Sequence, residues 1–355
     1  AAPSTGVGNL RENTETNRTE IYTDQTGTAE WRNLKETTAT SSDSEYLVVA
    51  GGGGGGSSSS GGGAGGAGGY LTNFGGTKIT LSSGTAYNIT VGTGGAGLTG
   101  EGTATATSGG NSILSGSGIT TITASGGGGA TNNTGASASG GSGAGAQGGT
   151  SVTAGSGNTP STTPSQGNNG GTGSSPSDVG GGGGGAGGAG QSGGAHNSAN
   201  DGKGGAAVSN SITGTAVNYA GGGGGGVCDF YDNGSHTGQG QAVGTNAGGD
   251  GGVSADPNTS AGPAYANGSN GNGGTGSGGG GGSRSQGSTT ALAGNGGSGI
   301  VIIRNTTPSA TFSAGVTVNG TGPTTAGQSV NGTSIGATGD YSYSIAIASS
   351  DTITF

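Results

Sequence analysis

The sequence has 355 residues, of which 98 are glycine and 8 are proline, and its formal net charge is −9. Apolar residues make up 26% of the chain and charged residues 7%, so it lacks both an ordinary hydrophobic core and the self-repulsion of a charged coil. Collagen is excluded because glycine does not recur at every third position. The 8 lysines and arginines are scattered and predict no nucleic-acid footprint, and no stretch predicts membrane insertion.

Residues 1–45 predict a small β module. Leu10, Ile21 and Trp31 suit short strands separated by an asparagine-rich turn. So few apolar side chains cannot form a core in one copy. We therefore expect a parallel homotrimer in which this module packs around a threefold axis.

Residues 8–34, GNLRENTETNRTEIYTDQTGTAEWRNL, resemble a short module of tail-fibre and other virion proteins. The shared pattern is Gly-x-(Ile/Leu)-Arg-aromatic-Asn-x-x-Thr-Asn-x-x-Glu-x-Tyr, followed by glycine, tryptophan and a hydrophobic residue. The matching positions are Gly8, Leu10, Arg11, Asn13, Thr16, Asn17, Glu20, Tyr22, Gly27, Trp31 and Leu34. Glu12 replaces the usual aromatic residue and Thr19 a usual hydrophobic one.

The region 46–304 begins and ends with strand-like runs, YLVVA and IVIIR. Further β patterns occupy 77–81, 87–91 and 119–124, and the sequence TKITLSSGTAYNITVG predicts a hairpin around residues 82–84. The sequence NSILSGSGITTITASGGGGA repeats the hairpin pattern. We expect these strands to form a small β-cap.

Glycine runs lie between the strands, at 51–56, 61–69, 126–129, 180–190, 221–226 and 278–282. Glycine-rich sequence is ordinarily a flexible coil, and a disordered tract is the alternative interpretation. Extended chains with three residues per turn have no internal hydrogen bonds, so glycine versions can pack side by side and bond to their neighbours. Because strands fix both borders, we predict a polyglycine II bundle with a small β-cap, mostly irregular plus β, without an α-helical domain.

The frame from VVAGGGGGG through GGGAGGAGGY and ITASGGGGA to GGSGIVIIR resembles the glycine-rich domain of phage tail-fibre and adhesin proteins. Some members of that family are receptor-binding adhesins built as polyglycine II sandwiches. The resemblance covers residues 46–304 and implies a host-binding role on a virion.

Residues 305–355 alternate polar residues with Val, Ile, Tyr and Phe, which predicts the start of a further β-rich segment. The pattern is interrupted at Phe355, so we expect the chain to be part of a longer polypeptide. The predicted domains are thus 1–45, 46–304 and 305–355.

Catalytic chemistry finds little support in the sequence. Cys228 and His236 could form a nucleophile pair, and Asp229 and Asp232 could join His236 in a metal site, but ordinary polar loop residues explain them better. We expect no enzyme activity, no cofactor and no metal.

Binding specificity must come from loops with large side chains, because glycine runs offer none. The candidate receptor-binding residues are Asp229, Phe230, Tyr231, Asp232, His236 and Tyr265. Tyr70, Phe74 and Tyr219 are instead expected to cover a bundle end.

The sequence favours a structural and host-receptor-binding component of a phage tail fibre, located extracellularly on the virion. Its expected partners are two further copies, other tail or fibre proteins, and a host surface protein or neutral glycan. One alternative is an extracellular structural or adhesin fibre of a bacterium, and another is an ice-binding protein.

Overall fold

The computed structural model describes most of the glycine-rich region, together with isolated strands of the flanks. The described residues are 41–82, 84–100, 103–132, 135–149, 152–175, 178–194, 202–227, 248–252, 267–283 and 292–305, with the strand backbones at 10–13, 18–23, 30–33, 318–319 and 351–354. This described part contains no α-helix and consists of small sheets joined by irregular backbone, which confirms the predicted fold class.

The strands are numbered in chain order. They are β1 Leu10–Asn13, β2 Arg18–Thr23, β3 Glu30–Asn33, β4 Ser42–Val49, β5 Ser57–Ser58, β6 Tyr70–Thr72, β7 Ile79–Leu81, β8 Ala86–Thr90, β9 Ser112–Gly116, β10 Ile122–Ala124, β11 Val208–Asn210, β12 Val217–Tyr219, β13 Gly282–Ser283, β14 Ile300–Asn305, β15 Val318–Asn319 and β16 Asp351–Thr354.

The two border strands of the glycine-rich region, β4 and β14, pair with each other in antiparallel register. Val49 lies opposite Ile300, and Ser44 lies opposite Asn305. The chain therefore enters and leaves the glycine-rich region side by side. β6 and β7 pair with β4 on its other edge, so the entry strand is the centre of the sheet.

This central sheet is buried on both faces, because successive side chains along a strand point in opposite directions. Val48 and Val301 join one apolar cluster with Tyr87 and Leu114 of a second sheet, whose strand order is β10-β9-β8-β16-β15. The opposite face carries a second cluster, formed by Leu47, Val49, Ala67, Ile212, Tyr219, Ala220 and Ile302. The antiparallel β11–β12 hairpin contributes to the second cluster and was not predicted from the sequence.

Residues 77–91 do not form the predicted hairpin, although they turn where expected. The Thr85 amide donates to the Ser82 carbonyl at 3.3 Å, but β7 pairs with β4 while β8 pairs with β9. The chain thus crosses from one sheet to the other, and Leu81 and Tyr87 meet in the first apolar cluster. Alternating hydrophobicity identified both strands but carried no information about their partners. The second predicted hairpin, β9–β10, is confirmed.

The glycine run 51–56 distributes its backbone hydrogen bonds with a period of three residues. Three consecutive amides donate to three different segments: Gly51 to Gly110, Gly52 to Gly297 and Gly53 to Gly66, at N–O distances of 3.0, 2.9 and 2.8 Å. The next three amides repeat the pattern one turn later, to Thr107, Gly294 and Gly63. Since each acceptor steps back by three residues, these neighbours run antiparallel. Three residues per turn is the repeat of a polyglycine II helix.

The carbonyl groups of the same run complete a hexagonal arrangement. The Gly51 carbonyl accepts a hydrogen bond from the Gly127 amide, the Gly52 carbonyl from the Gly95 amide and the Gly53 carbonyl from the Gly279 amide. The same three bonds recur three residues further along both partners, so these neighbours run parallel to 51–56. Six segments therefore surround 51–56, namely 92–98, 104–110, 126–130, 61–69, 278–282 and 292–297. The runs 61–69, 180–185 and 278–282 are each enclosed by six segments in the same way.

Glycine is required in these runs because neighbouring backbones occupy the space of a side chain. A Cβ atom built on Gly52 would lie 2.0 Å from the Ser277 carbonyl oxygen, and one built on Gly183 would lie 1.9 Å from the Gly65 oxygen. Neither oxygen can move without breaking the hydrogen bonds of its own segment. Ala64 and Ala67, which are fully buried, mark one row of the run 61–69 where a methyl group does fit.

Tyr219 belongs to the second apolar cluster, and Tyr70 and Phe74 pack against it, as predicted for residues that cover a bundle end. The Tyr70 hydroxyl accepts a hydrogen bond of 2.7 Å from the Asn210 amide. Burial raises the pKa of Tyr70 above its ordinary value, against a smaller lowering by that hydrogen bond. Burial also raises the pKa of Tyr46, and burial together with the nearby Tyr70 raises the pKa of Tyr219.

The described parts of the flanks are strands. β1, β2 and β3 form an antiparallel sheet, with Leu10 opposite Ile21 and Tyr22 opposite Trp31. In the other flank, β15 pairs with β16, which pairs with β8. The domain boundaries at residues 45 and 304 stay predictions.

A methyl group at Gly183 should disrupt the bundle. Because the added Cβ would overlap the Gly65 oxygen at 1.9 Å, we expect Gly183→Ala to destabilise the fold by at least about 4 kcal/mol, or to lower Tm by at least about 10 °C. The matched control is Gly188→Ala in the same run, where the nearest atom to the new Cβ is 3.6 Å away. Thermal unfolding followed by circular dichroism should show the control unchanged or stabilised by about 0.4–1 kcal/mol. Equal Tm values for the two variants would contradict the close packing.

Stability should fall in alkaline solution. The three tyrosines have folded-state pKa values above the ordinary value of about 10, so unfolding releases their protons only when the pH exceeds that value. Their contribution to the unfolding free energy is constant below pH ~10 and is lost as the pH rises through their folded-state pKa values. We expect Tyr219→Phe to make the decline in unfolding free energy shallower by up to about 1.4 kcal/mol per pH unit, measured by urea titration. An identical slope in both proteins would show that Tyr219 ionises freely in the fold.

Candidate functional site

The bundle has two chemically different ends. The end at Gly51 adjoins the sheets and is called the cap end, and the end at Gly56 is called the loop end. Pairing with 51–56 and its neighbours places many chain connections at the loop end. The described segments that begin or end there are joined along the chain by residues 57–60, 98–104, 131–137, 148–152, 174–179, 193–202, 252–267 and 283–292.

All six predicted receptor-binding residues lie outside the described residues, as do Cys228 and the histidines. Asp229, Phe230, Tyr231, Asp232 and His236 follow Val227 in the chain, and Tyr265 lies between Gly252 and Asn267. Their role stays a prediction. The structure does describe the positions where these connections leave the bundle.

The two connections that carry these residues leave the loop end side by side. The Val227 amide donates to the Gly252 carbonyl at 2.9 Å, and the Gly252 amide donates to Gly281 at 2.7 Å. Val227 also forms an antiparallel bridge with Val179, and both valines are buried. The sequence separates Val227 and Gly252 by a long stretch and gives no sign that they are neighbours.

The connections differ in where they return. Gly224 donates to Gly249 just as Val227 donates to Gly252, so the segment 248–252 runs parallel to 221–227. The chain therefore leaves at the loop end after Val227 and rejoins the bundle at residue 248, about 12 Å nearer the cap end, given a rise of about 3.1 Å per residue. The segment 267–272 instead runs antiparallel to 248–252, so the connection that contains Tyr265 starts and finishes at the loop end.

Polar side chains close the loop end where the hexagonal hydrogen bonding stops. The Asn132 Oδ1 atom accepts from the Ser57 amide at 2.7 Å, and the Ser137 hydroxyl donates to the Gly145 carbonyl at 2.8 Å. Asn132, Ser57 and Ser137 are all buried. Because an unpaired buried backbone group costs about 1–3 kcal/mol, these side chains stabilise the end of the bundle without apolar packing.

Leu292 is the exposed large apolar residue of the described part, with 37% of its surface accessible. It lies at the loop end, bridged to Thr99, and the following amide of Ala293 donates to Leu98. Leu292 was not among the binding residues predicted from the sequence. The sequence feature that could have identified this residue as a candidate is a single leucine in a polar stretch between two glycine segments.

The described residues contain no group of three or more His, Cys, Asp or Glu side chains placed to hold a metal ion. The same part of the chain has no helix with the length and apolar character that a membrane span requires. The described side chains at the loop end include the buried Ser57, Asn132 and Ser137 and the exposed Leu292.

Residues 26–306 match the family described as the glycine-rich domain. No curated protein and no solved structure matches this chain. The matched range exceeds half of the 355 residues, and it contains both border strands and every segment of the bundle. The chain therefore belongs to the glycine-rich domain family.

Proposed function

We propose that this protein is a structural and host-receptor-binding component of a phage tail fibre, and that it binds the host through the loop end of its glycine-rich bundle. The virion location rests on the resemblance of residues 8–34 to a tail-fibre module. The binding role rests on the layout of the bundle.

The pairing of β4 with β14 is the observation that carries the proposal. Ser44 lies opposite Asn305, so both flanks attach at the cap end. The loop end is at the opposite end of the bundle, away from the attachment to the rest of the chain. A rigid domain held at one end, with loops at the other, suits the presentation of a binding surface.

The composition of the chain constrains the receptor. With a net charge of −9 and 8 lysines and arginines in 355 residues, the protein would repel a strongly anionic polysaccharide. A host surface protein or a neutral glycan is the better match. Phe230 and Tyr231 would provide the apolar contact area, ringed by Asp229, Asp232 and His236, as aromatic anchors do in other interfaces.

The function of these aromatic residues can be tested by adsorption. We expect Phe230→Ala combined with Tyr231→Ala to reduce adsorption of virions to host cells by at least about tenfold, which corresponds to about 1.4 kcal/mol. We expect the Tm of the purified protein to stay unchanged, because both residues follow Val227, the last residue of the hydrogen-bonded segment 221–227. The control is Thr93→Ala, an exposed side chain on the side of the bundle. Normal adsorption by the double variant would place the receptor site elsewhere.

Assembly provides a separate test. The flanks are too poor in apolar residues to form cores alone, so we expect the intact chain to be a parallel homotrimer, measured as mass in solution by light scattering. The fragment 42–305 should be a monomer, because the bundle segments bond to one another and the cap buries its own apolar cluster, although removal of β16 leaves one edge of β8 unpaired. A stable monomer of the intact chain would contradict the fibre assembly. A trimeric fragment would show that the glycine-rich domains make the contacts instead.

A further inference from the structure

The chain contains eight Asn-Gly pairs, an unusual density of a chemically labile sequence. In such a pair the backbone nitrogen of glycine can attack the side-chain Cγ of asparagine, because glycine has no Cβ to obstruct the approach. The reaction needs a glycine N–H that is free of hydrogen bonds and a side chain able to fold back onto it. Local structure therefore decides which pairs react.

Five of these pairs have both residues described, and the bundle holds four of the five glycine amides. The bonds run from Gly170 to Gly155 at 3.0 Å, from Gly268 to Leu292 at 2.9 Å, from Gly271 to Asn295 at 2.9 Å and from Gly296 to Gly95 at 2.8 Å. In a polyglycine II segment each such bond joins two different segments, so the nitrogen cannot turn toward its own neighbour's side chain without local opening.

Three of the asparagine side chains are also held in place. Their Oδ1 atoms each accept a backbone amide at 2.8 Å: Asn169 from Gly157, Asn270 from Asn295 and Asn295 from Gly97. These bonds direct the amide groups across to adjacent segments rather than back along their own chain. Asn267 lacks such a bond within the described residues, but the amide of Gly268 is held.

Asn272-Gly273 differs from all four other pairs in its glycine amide, and from three of them also in its asparagine side chain. Asn272 and Gly273 are exposed, at the turn between the segments 267–272 and 276–282. Within the described residues, neither the Gly273 amide nor the Asn272 side chain has a hydrogen-bond partner. The nearest atom to a Cβ built on Gly273 is the Ser298 Oγ atom at 3.7 Å, so the surroundings are open.

We propose that Asn272 is a site of spontaneous deamidation and that the polyglycine II bundle protects the four other described pairs. The Gly273 nitrogen forms a bond to Asn272 Cγ, the bond from Cγ to the side-chain nitrogen breaks, and ammonia leaves with the proton of the Gly273 amide. Water then opens the succinimide at either carbonyl and gives aspartate or isoaspartate. Either product places a carboxylate at the junction of two bundle segments, where the Thr275 hydroxyl donates to the Asn272 carbonyl at 2.7 Å.

The test is prolonged incubation of the intact folded protein in mildly alkaline buffer, followed by digestion and fragment-ion mass spectrometry. We expect Asn272 to deamidate at least about tenfold faster than Asn169, Asn270 and Asn295, because those pairs react only through local opening. In concentrated urea the rates at the four sites should converge, since all four have glycine next in the chain. If Asn272 reacts no faster than Asn270 and Asn295 in the folded protein, the proposal is wrong.

A variant separates the cyclic reaction from direct hydrolysis of the side chain. Gly273→Ala hinders attack by the backbone nitrogen, while the open surroundings accommodate the new Cβ and leave Tm unchanged. We expect the modification at position 272 to fall at least about tenfold in this variant, since the attacking nitrogen becomes sterically shielded. An unchanged rate would mean that the acid forms without the succinimide and would overturn the mechanism.

Discussion

The structure depends on one interaction, the hydrogen bond from a glycine amide to the carbonyl of a neighbouring extended segment. Such a segment has no internal hydrogen bonds, so each of its backbone groups must find a partner in another segment. At Gly52 and Gly183 the neighbouring carbonyl oxygen approaches so closely that it occupies the place of a Cβ. The close approach of the segments therefore requires glycine at these positions. With glycine there, each of four runs can be enclosed by six neighbouring segments.

The two ends of the bundle need further stabilising interactions besides the hydrogen bonds between glycine segments. Ordering glycine is entropically expensive, so an isolated pair of segments gains too little. At the cap end the pairing of β4 and β14 joins the two borders of the region, and apolar clusters on both faces stabilise that sheet. At the loop end, buried polar side chains such as Asn132 bond to the last amides. Apolar packing therefore stabilises the end of the bundle that adjoins the flanks, and polar hydrogen bonds stabilise the opposite end.

The sequence predicted the fold class and the order of the parts, but not their partners. The border strands and β9–β10 were recognisable because Val, Ile and Leu stand out in a background of glycine and serine. That β7 pairs with β4 instead of β8 was not predictable, since alternating hydrophobicity identifies a strand but not its partner. Nor does a glycine run reveal which six segments will surround it. The site was harder to predict, because Val227 and Gly252 are hydrogen-bonded neighbours although they are far apart in the sequence. A single leucine such as Leu292 also shows no sign in the sequence of whether it is buried or exposed.

Hydrogen exchange of the glycine amides tests the bundle most directly. Protein labelled with ¹⁵N in glycine alone would be transferred into deuterated buffer and followed by two-dimensional NMR. If the runs are hydrogen-bonded as described, most glycine signals should persist for hours, because exchange from 51–56, 61–69, 180–185 and 278–282 requires opening of the surrounding segments. Loss of all glycine signals at random-coil rates would show that these runs are unstructured and would contradict the fold.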